Sequence, residues 1–140
     1  MLFRSLNSEQ RRWAQELLAL VGTYDDESSP GVLCHNDLVA ANILDDGELW
    51  FIDFEYAVYS DPRLDLASLI SMNGFNTVQS DALVAAYYGD EAPAISALYL
   101  SDVVRLTQLV GYFWALTRSP QPSHSVGINR FVEQMEAVLR

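Results

Sequence analysis

There is no lysine in this chain. All eight basic residues are arginines: Arg4, Arg11, Arg12, Arg63, Arg105, Arg118, Arg130 and Arg140. Against 19 Asp and Glu residues they leave a formal net charge of −11, and apart from Arg11-Arg12 they are scattered. A surface of that sign repels phosphate backbones, which excludes nucleic acid as an expected partner. It would draw in a cationic small molecule, or it serves solubility alone. The single cysteine, Cys34, excludes an internal disulfide and suits a reducing cytoplasm. No apolar run approaches the roughly 20 residues that span a membrane. The start, Met1-Leu2-Phe3-Arg4-Ser5-Leu6-Asn7, lacks the basic and apolar stretches of a signal peptide. A cytoplasmic setting without a membrane partner is therefore expected. The seven glycines never fall as Gly-x-Gly, so these residues hold no glycine-rich loop of that kind.

What is present suits one domain. The chain has 140 residues, half of them hydrophobic, enough to bury a core. Asn7 or Ser8 can cap a first helix with Trp13, Leu17, Leu20 and Val21 on its apolar face and Gly22 at its end. An acidic loop, Thr23 to Gly31, leads to a short strand, Val32 to Cys34. Ile43-Leu44, then Asp45-Asp46-Gly47, then Leu49 to Phe54 reads as a hairpin with Asp-Gly at the turn. Beyond Asp61-Pro62 the pattern is helical: Leu64 to Met72, Thr77 to Tyr88, a long helix opened by Pro93 and reaching about Arg118, and a last one from about Val126 to Arg140. Ser119-Pro120-Gln121-Pro122 separates the last two. The expected fold class is α+β and mostly helical, with a small β-hairpin unit.

The chemistry concentrates in that unit. Residues 35–42 read His-Asn-Asp-Leu-Val-Ala-Ala-Asn, and Phe51-Ile52-Asp53-Phe54-Glu55-Tyr56-Ala57 follows shortly after. The first segment has the His-x-Asp-x-x-x-x-Asn spacing of a kinase catalytic loop. The second sets Asp53 just past an apolar run, where kinase-like sites keep a magnesium ligand. Phosphoryl transfer needs metal ions that bridge phosphate oxygens and a carboxylate that orients the attacking hydroxyl. Magnesium takes oxygen ligands, and Asp37, Asn42 and Asp53 offer carboxylate and amide oxygens. An irregular loop can turn Asp37 and Asn42 toward one point. A hairpin folding back at Asp46-Gly47 would return Asp53 beside Asn42.

Together with Asp61 and Asp65-Leu66-Ala67, these segments resemble the aminoglycoside phosphotransferase and choline kinase family. The resemblance covers nearly the whole chain and implies that residues 1–140 are the C-terminal lobe of a protein-kinase-like fold. It also implies ATP and Mg2+ as cofactors. By the same resemblance Asp37 would position or deprotonate the acceptor hydroxyl, with His35 beside it steadying the catalytic loop. Asn42 and Asp53 would hold the metal, and Asp65 would buttress the loop. Protein kinases usually carry Lys two residues after the catalytic Asp, where this chain has Val39. Asp-Phe-Gly becomes Asp53-Phe54-Glu55, and no Ala-Pro-Glu follows. Both departures point to small-molecule phosphotransferases. The acceptor would be a small cationic alcohol, choline-like, ethanolamine-like or an aminoglycoside. Glu55 and Asp61 could set negative charge beside its amine.

Tyr112-Phe113-Trp114 occupies the long helix where choline kinases carry aromatics that box a quaternary ammonium. Trp114 resembles one of them, while the family's next tryptophan is Thr117 here. Leu109, Tyr112, Phe113 and Leu116 also fit a plain core stripe at helical spacing. Cys34 reads as a small buried residue and His124 as a surface one. A complete enzyme of this family has an N-terminal β-lobe with a phosphate-covering loop and a lysine. The expectation is therefore a lobe that is a poor kinase alone, a truncated or split enzyme, with a homodimer or a separate N-lobe as partner. The alternative is a lobe reused as a binding module.

Overall fold

The computed structural model describes residues 6–24, 31–89, 97–118 and 125–140. They fall into two compact units, one built from Met1–Tyr24 with Gln108–Arg140 and the other from Asp25–Thr107. Five α-helices and four short strands carry the described residues: α1 (Ser8–Thr23), β1 (Val32–Cys34), β2 (Ile43–Asp45), β3 (Leu49–Phe51), β4 (Val58–Ser60), α2 (Pro62–Asn73), α3 (Thr77–Tyr88), α4 (Ala97–Arg118) and α5 (Ser125–Leu139). The acidic stretch after Tyr24, Pro93, the Ser-Pro-Gln-Pro break and His124 lie outside the described residues.

The first unit is helical. Asn7 caps α1 through its side chain, which accepts from the Gln10 amide at 2.9 Å while Gln10 Oε1 takes the Asn7 N–H at 3.0 Å. Two of the donors that a helix start leaves orphaned are thereby satisfied. The helix runs one residue past Gly22, and Val21 is 56% exposed, so the apolar face is narrower than its sequence pattern suggests. Trp13, Leu109, Tyr112, Met135 and Leu139 form the core, with Leu17, Leu20, Phe113, Leu116, Phe131 and Val132 packed around them. The Trp13 and Tyr112 rings meet edge-on, centroids 5.1 Å apart, the arrangement their quadrupoles favour. The buried Tyr112 hydroxyl accepts from Gln10 Nε2 and donates to Glu136 Oε1, each at 2.9 Å. One hydroxyl therefore joins α1, α4 and α5.

The second unit carries both sheets, each of two antiparallel strands. In the hairpin Ile43 pairs with Phe51, Leu44 with Trp50 and Asp45 with Leu49. Its turn is closed by Asp45 and Asp46 carboxylates accepting from Gly47 N–H and Trp50 Nε1, and Gly47 takes a φ of 105° that only glycine adopts freely. The strand stops at Phe51, three residues short of the expected end. The strand β4 was not expected: it pairs with β1, Val32 against Ser60 and Cys34 against Val58.

Asp61 then caps α2 with Pro62 at its first position, and Gly74 ends it in the left-handed region. Asn76 opens α3 with a second reciprocal cap to Gln79. Leu66, Ile70, Val84 and Leu100 make this unit's core, sealed by Phe75, Leu83, Tyr88 and Val104. Cys34 is fully buried, and burial raises its thiol pKa, which fits an inert packing residue.

Burial also pushes the Tyr112 hydroxyl up to about 12 from an ordinary 10.0. A folded-state pKa above the unfolded one means that the folded chain holds its proton longer. Stability is unaffected below about pH 10 and is lost as pH rises from there through about 12. Alkaline urea unfolding should show this decline, and in Tyr112→Phe the decline should be smaller over the same window.

Candidate active site

The strand β1 delivers the chain into the His35–Asn42 loop, and the loop does not rest on its own hydrogen bonds. The Asp65 carboxylate, in the first turn of α2, accepts the His35 N–H through Oδ2 and the Asn36 N–H through Oδ1, each at 2.7 Å. Two successive amides can point at one anion only if the backbone is bent, and Asn36 supplies the bend with a φ of 62°. Asn tolerates this left-handed conformation better than most residues. Its side chain also donates to the Tyr56 carbonyl at 3.2 Å. Asp65 thus sits where a buttress for the loop was expected.

His35 is 4% exposed and makes no approach to solvent. Its Nδ1 lies 3.3 Å from the Asp37 N–H and its Nε2 lies 2.8 Å from the Ile52 carbonyl. An amide N–H only donates and a carbonyl only accepts, so the ring is neutral with its proton on Nε2. Phe54 packs against it with centroids 4.5 Å apart. The ring therefore joins the loop to the segment that carries Asp53.

Asp37 is partly exposed, and its Oδ2 accepts from Asn42 Nδ2 at 3.0 Å. The same Nδ2 donates to the Asp37 carbonyl at 3.0 Å. Both amide hydrogens of Asn42 are thus spent on Asp37, which leaves Asn42 Oδ1 without a hydrogen bond among the described residues. A single 3₁₀ turn, Ala40–Asn42, sets this geometry. The Asn42 carbonyl in turn accepts from Ile52 N–H at 3.0 Å, placing Asp53 one residue beyond that contact. Asp53 is exposed, has a φ of 65°, and takes no hydrogen bond or ion pair among the described residues. Asn36 and Asp53 are the non-glycine residues with positive φ among those described, and both stand in the two motif segments. Backbone strain of that kind persists where surrounding contacts impose it, and it clusters at functional sites.

A carboxylate at Asp53 and an amide oxygen at Asn42 would make a sparse donor set. No group of three or more His, Cys, Asp or Glu side chains able to hold a metal occurs among the described residues. Magnesium fits such a set, because it keeps several waters and takes its remaining ligands from substrate phosphates.

Glu55 is exposed at the turn between Phe54 and Ala57. Asp61 has a different position from the one expected of a substrate-facing acid. It is 1% exposed, caps α2 by accepting from Arg63 N–H at 2.9 Å, and is ion-paired to the Arg63 guanidinium. A buried carboxylate needs such pairing, and here its charge is spent inside the fold. Trp114 belongs to the first unit, where it is 44% exposed with the Arg118 guanidinium 4.5 Å over its ring. That face already holds a cation. Leu109 and Tyr112 are core residues of that unit, as the helical stripe allowed. The parts that sequence reasoning missed are Asn36 and Phe54. Their signals were an Asn between His and Asp, a residue type that accepts positive φ, and an aromatic directly after Asp53.

Residues 3–100 match the phosphotransferase enzyme family. Ethanolamine kinase 2 of Mus musculus is 42% identical over 129 residues, which cover 79% of this chain and 34% of that protein. Ethanolamine kinase 1 of the same organism is 39% identical over 66 residues, 45% of this chain and 16% of that one. Protein LicA of Haemophilus influenzae is 42% identical over 55 residues, 39% of this chain and 21% of its own length. The chain thus spans well under half the length of these curated relatives. Among solved structures, a choline/ethanolamine kinase family protein from Mesorhizobium loti superposes with a TM-score of 0.76 at 24% identity, covering 96% of this chain and 46% of that chain. The fold is the mostly helical α+β lobe of a kinase-like protein.

The Asp65 contacts can be weighed directly. Hydrogen bonds to a charged group contribute about 1.5 to 3 kcal/mol each, and Asp65→Asn would turn one acceptor into a donor facing an amide. The substitution should lower unfolding free energy by about 2 to 4 kcal/mol in a urea titration. A loss below about 0.5 kcal/mol, the size of an ordinary surface substitution, would mean that the two amides do not depend on this carboxylate.

Proposed function

Because the chain belongs to the phosphotransferase enzyme family, we propose that it carries the acceptor-orienting and metal-binding half of a small-molecule kinase. The reaction moves the γ-phosphoryl group of ATP to the hydroxyl of a small amino alcohol of the ethanolamine or choline class. One observation carries this reading: a continuous run of hydrogen bonds, Asp37 to Asn42 to Ile52, which brings two motif segments together next to Asp53.

The roles follow from the free atoms. Asp37 Oδ2 is occupied by Asn42, while Oδ1 takes no hydrogen bond among the described residues, and the residue is partly exposed. That oxygen is suited to accept the acceptor's hydroxyl proton. As the hydroxyl oxygen bonds to the γ-phosphorus, its proton passes to Asp37 and the bond to the ADP oxygen breaks, leaving ADP and the phosphate ester. Asn42 Oδ1 and the Asp53 carboxylate would hold magnesium, which when bound offsets the negative charge of the phosphates. His35 takes no part in proton transfer in this scheme, since both ring nitrogens serve the backbone. Glu55, exposed two residues beyond Asp53, is the acid suited to meet the ammonium group. The net charge of −11 would raise the local concentration of such a cation.

A phosphate-gripping lysine cannot come from these 140 residues, because they contain none. The full site therefore draws on groups outside them, on the same polypeptide or on a partner in the cytoplasm where ATP is made. A second reading, a lobe used for association, is favoured by the exposed apolar side chains Leu44, Leu49, Trp50, Phe51 and Tyr59 on the strands. Calorimetric titration with ATP in excess magnesium separates the two. Under the phosphotransferase reading binding is saturable and disappears in Asp53→Ala. Asp37→Ala should bind as the parent does, while transfer to ethanolamine or choline falls about 10²- to 10⁴-fold. Parent-like binding and turnover in both variants would remove the site assignment. No binding at millimolar nucleotide would favour the association reading.

A further inference from the structure

The Asp37 loop is held at its start by Asp65, but that contact alone leaves Asp37 at the free end of an irregular segment. A second side chain of α2 meets the loop on the far side of Asp37. Asn73, in the last position of the helix, donates through Nδ2 to the Leu38 carbonyl at 2.8 Å and to the Leu69 carbonyl at 2.8 Å. The amide orientation is fixed by these partners, since an oxygen in that place would face two carbonyl oxygens. One bond is local, to the carbonyl one turn earlier in the helix. The other reaches 35 residues back in sequence.

The two contacts bracket Asp37 from one helix. Asp65 and Asn73 are eight residues apart on α2, about 12 Å along its axis. The loop atoms they hold are the His35 and Asn36 amides on one side of Asp37 and the Leu38 carbonyl on the other. Asp37 lies between the anchors, with its amide on the His35 ring and its carbonyl on Asn42. We infer that Asn73 is a positioning residue, which fixes the carbonyl immediately after Asp37 and so sets the direction of its carboxylate. This rests on the phosphotransferase reading for its consequence in catalysis and on geometry alone for the clamp. Asn has no helix-forming advantage in a helix interior. The sequence gives no motif signal for it.

The experiment is amide hydrogen exchange by NMR on the whole chain, comparing the parent with Asn73→Ala and Asn73→Asp. The reporters are Val39 N–H, which bonds the Asp37 carbonyl, and Asn42 N–H, which bonds the Val39 carbonyl. Both variants should lower protection at these two amides about tenfold, the factor for one lost hydrogen bond. Protection of the β1–β4 pairs and of the middle of α2 should stay within about twofold, a change smaller than a single hydrogen bond. In Asn73→Asp, lowering the pH protonates the new carboxylate and restores one donor, so loop protection should recover, whereas Asn73→Ala should not respond. Unchanged protection at Val39 and Asn42 would overturn the clamp. So would an equal loss across the whole unit, which is the signature of general destabilisation.

Steady-state turnover, measured with any partner the full site requires, gives the catalytic consequence. The expected split is a fall in kcat of about 10- to 100-fold in Asn73→Ala with KM for the nucleotide within about twofold, as for a misplaced but still assembled site. A parent without turnover would overturn the phosphotransferase reading, while the exchange comparison still decides for or against the clamp. Ser71→Ala, which removes a hydroxyl contact of α2 to Thr107 and not to the loop, is the control that should leave both readouts unmoved.

Discussion

The candidate site depends on one carboxylate holding two neighbouring amides. Asp65 fills the concavity made when Asn36 turns into left-handed backbone, and without an anion there the two N–H groups would face each other's partial charge. The contact does three things together. It places the His35–Asn42 loop on α2, it accounts for the positive φ at Asn36, and it brings the His35 ring against the segment that leads to Asp53. Both hydrogen bonds end on one carboxylate in a partly buried place, where charge-assisted contacts are short and strong.

From that anchor the order passes through Ile52. Its N–H goes to the Asn42 carbonyl and its own carbonyl goes to His35, so the peptides on either side of this residue are held by the two ends of the His35–Asn42 segment. Asp53 follows directly and keeps its carboxylate free of protein partners among the described residues. The pattern is a gradient: the backbone beside the acids is tied down at His35, Asn42 and Ile52, while the oxygens that chemistry would need take no hydrogen bond among the described residues. A site of that kind is preorganised by its scaffold rather than by its ligands.

Much of this was legible where the information is local. The bounds of α3, the cap at Asn7 and the Asp-Gly hairpin all follow from side chains that bond within four residues of themselves. The motif spacing identified Asp37, Asn42 and Asp53 as a group because their separation matches one loop and one hairpin. What escaped was tertiary. Val58–Ser60 is three residues long, with no alternation to show that it would pair 26 residues back, Cys34 against Val58 and Val32 against Ser60 bracketing Leu33 against Tyr59. Asn73 looks like any polar residue near a helix end. Asp61 was the avoidable error, because Asp-Pro at a helix start is a capping signal and Arg63 stands within reach of it. Its charge belonged to the fold before it could belong to a ligand.

The strands have a consequence for how the molecule behaves in concentrated solution. Among the described residues each sheet has two strands, so each strand has an outer edge with no strand beside it, and Leu33, Leu44, Trp50 and Tyr59 are exposed on them. Exposed strand edges can template further strands; here the strands are only three residues long and carry no proline or lysine. What keeps neighbouring copies apart is mutual repulsion from a charge of −11. That repulsion reaches only about 8 Å at physiological ionic strength and about 3 Å at 1 M salt. Colloidal stability of the isolated chain is thus an electrostatic property, and it falls as electrolyte is added.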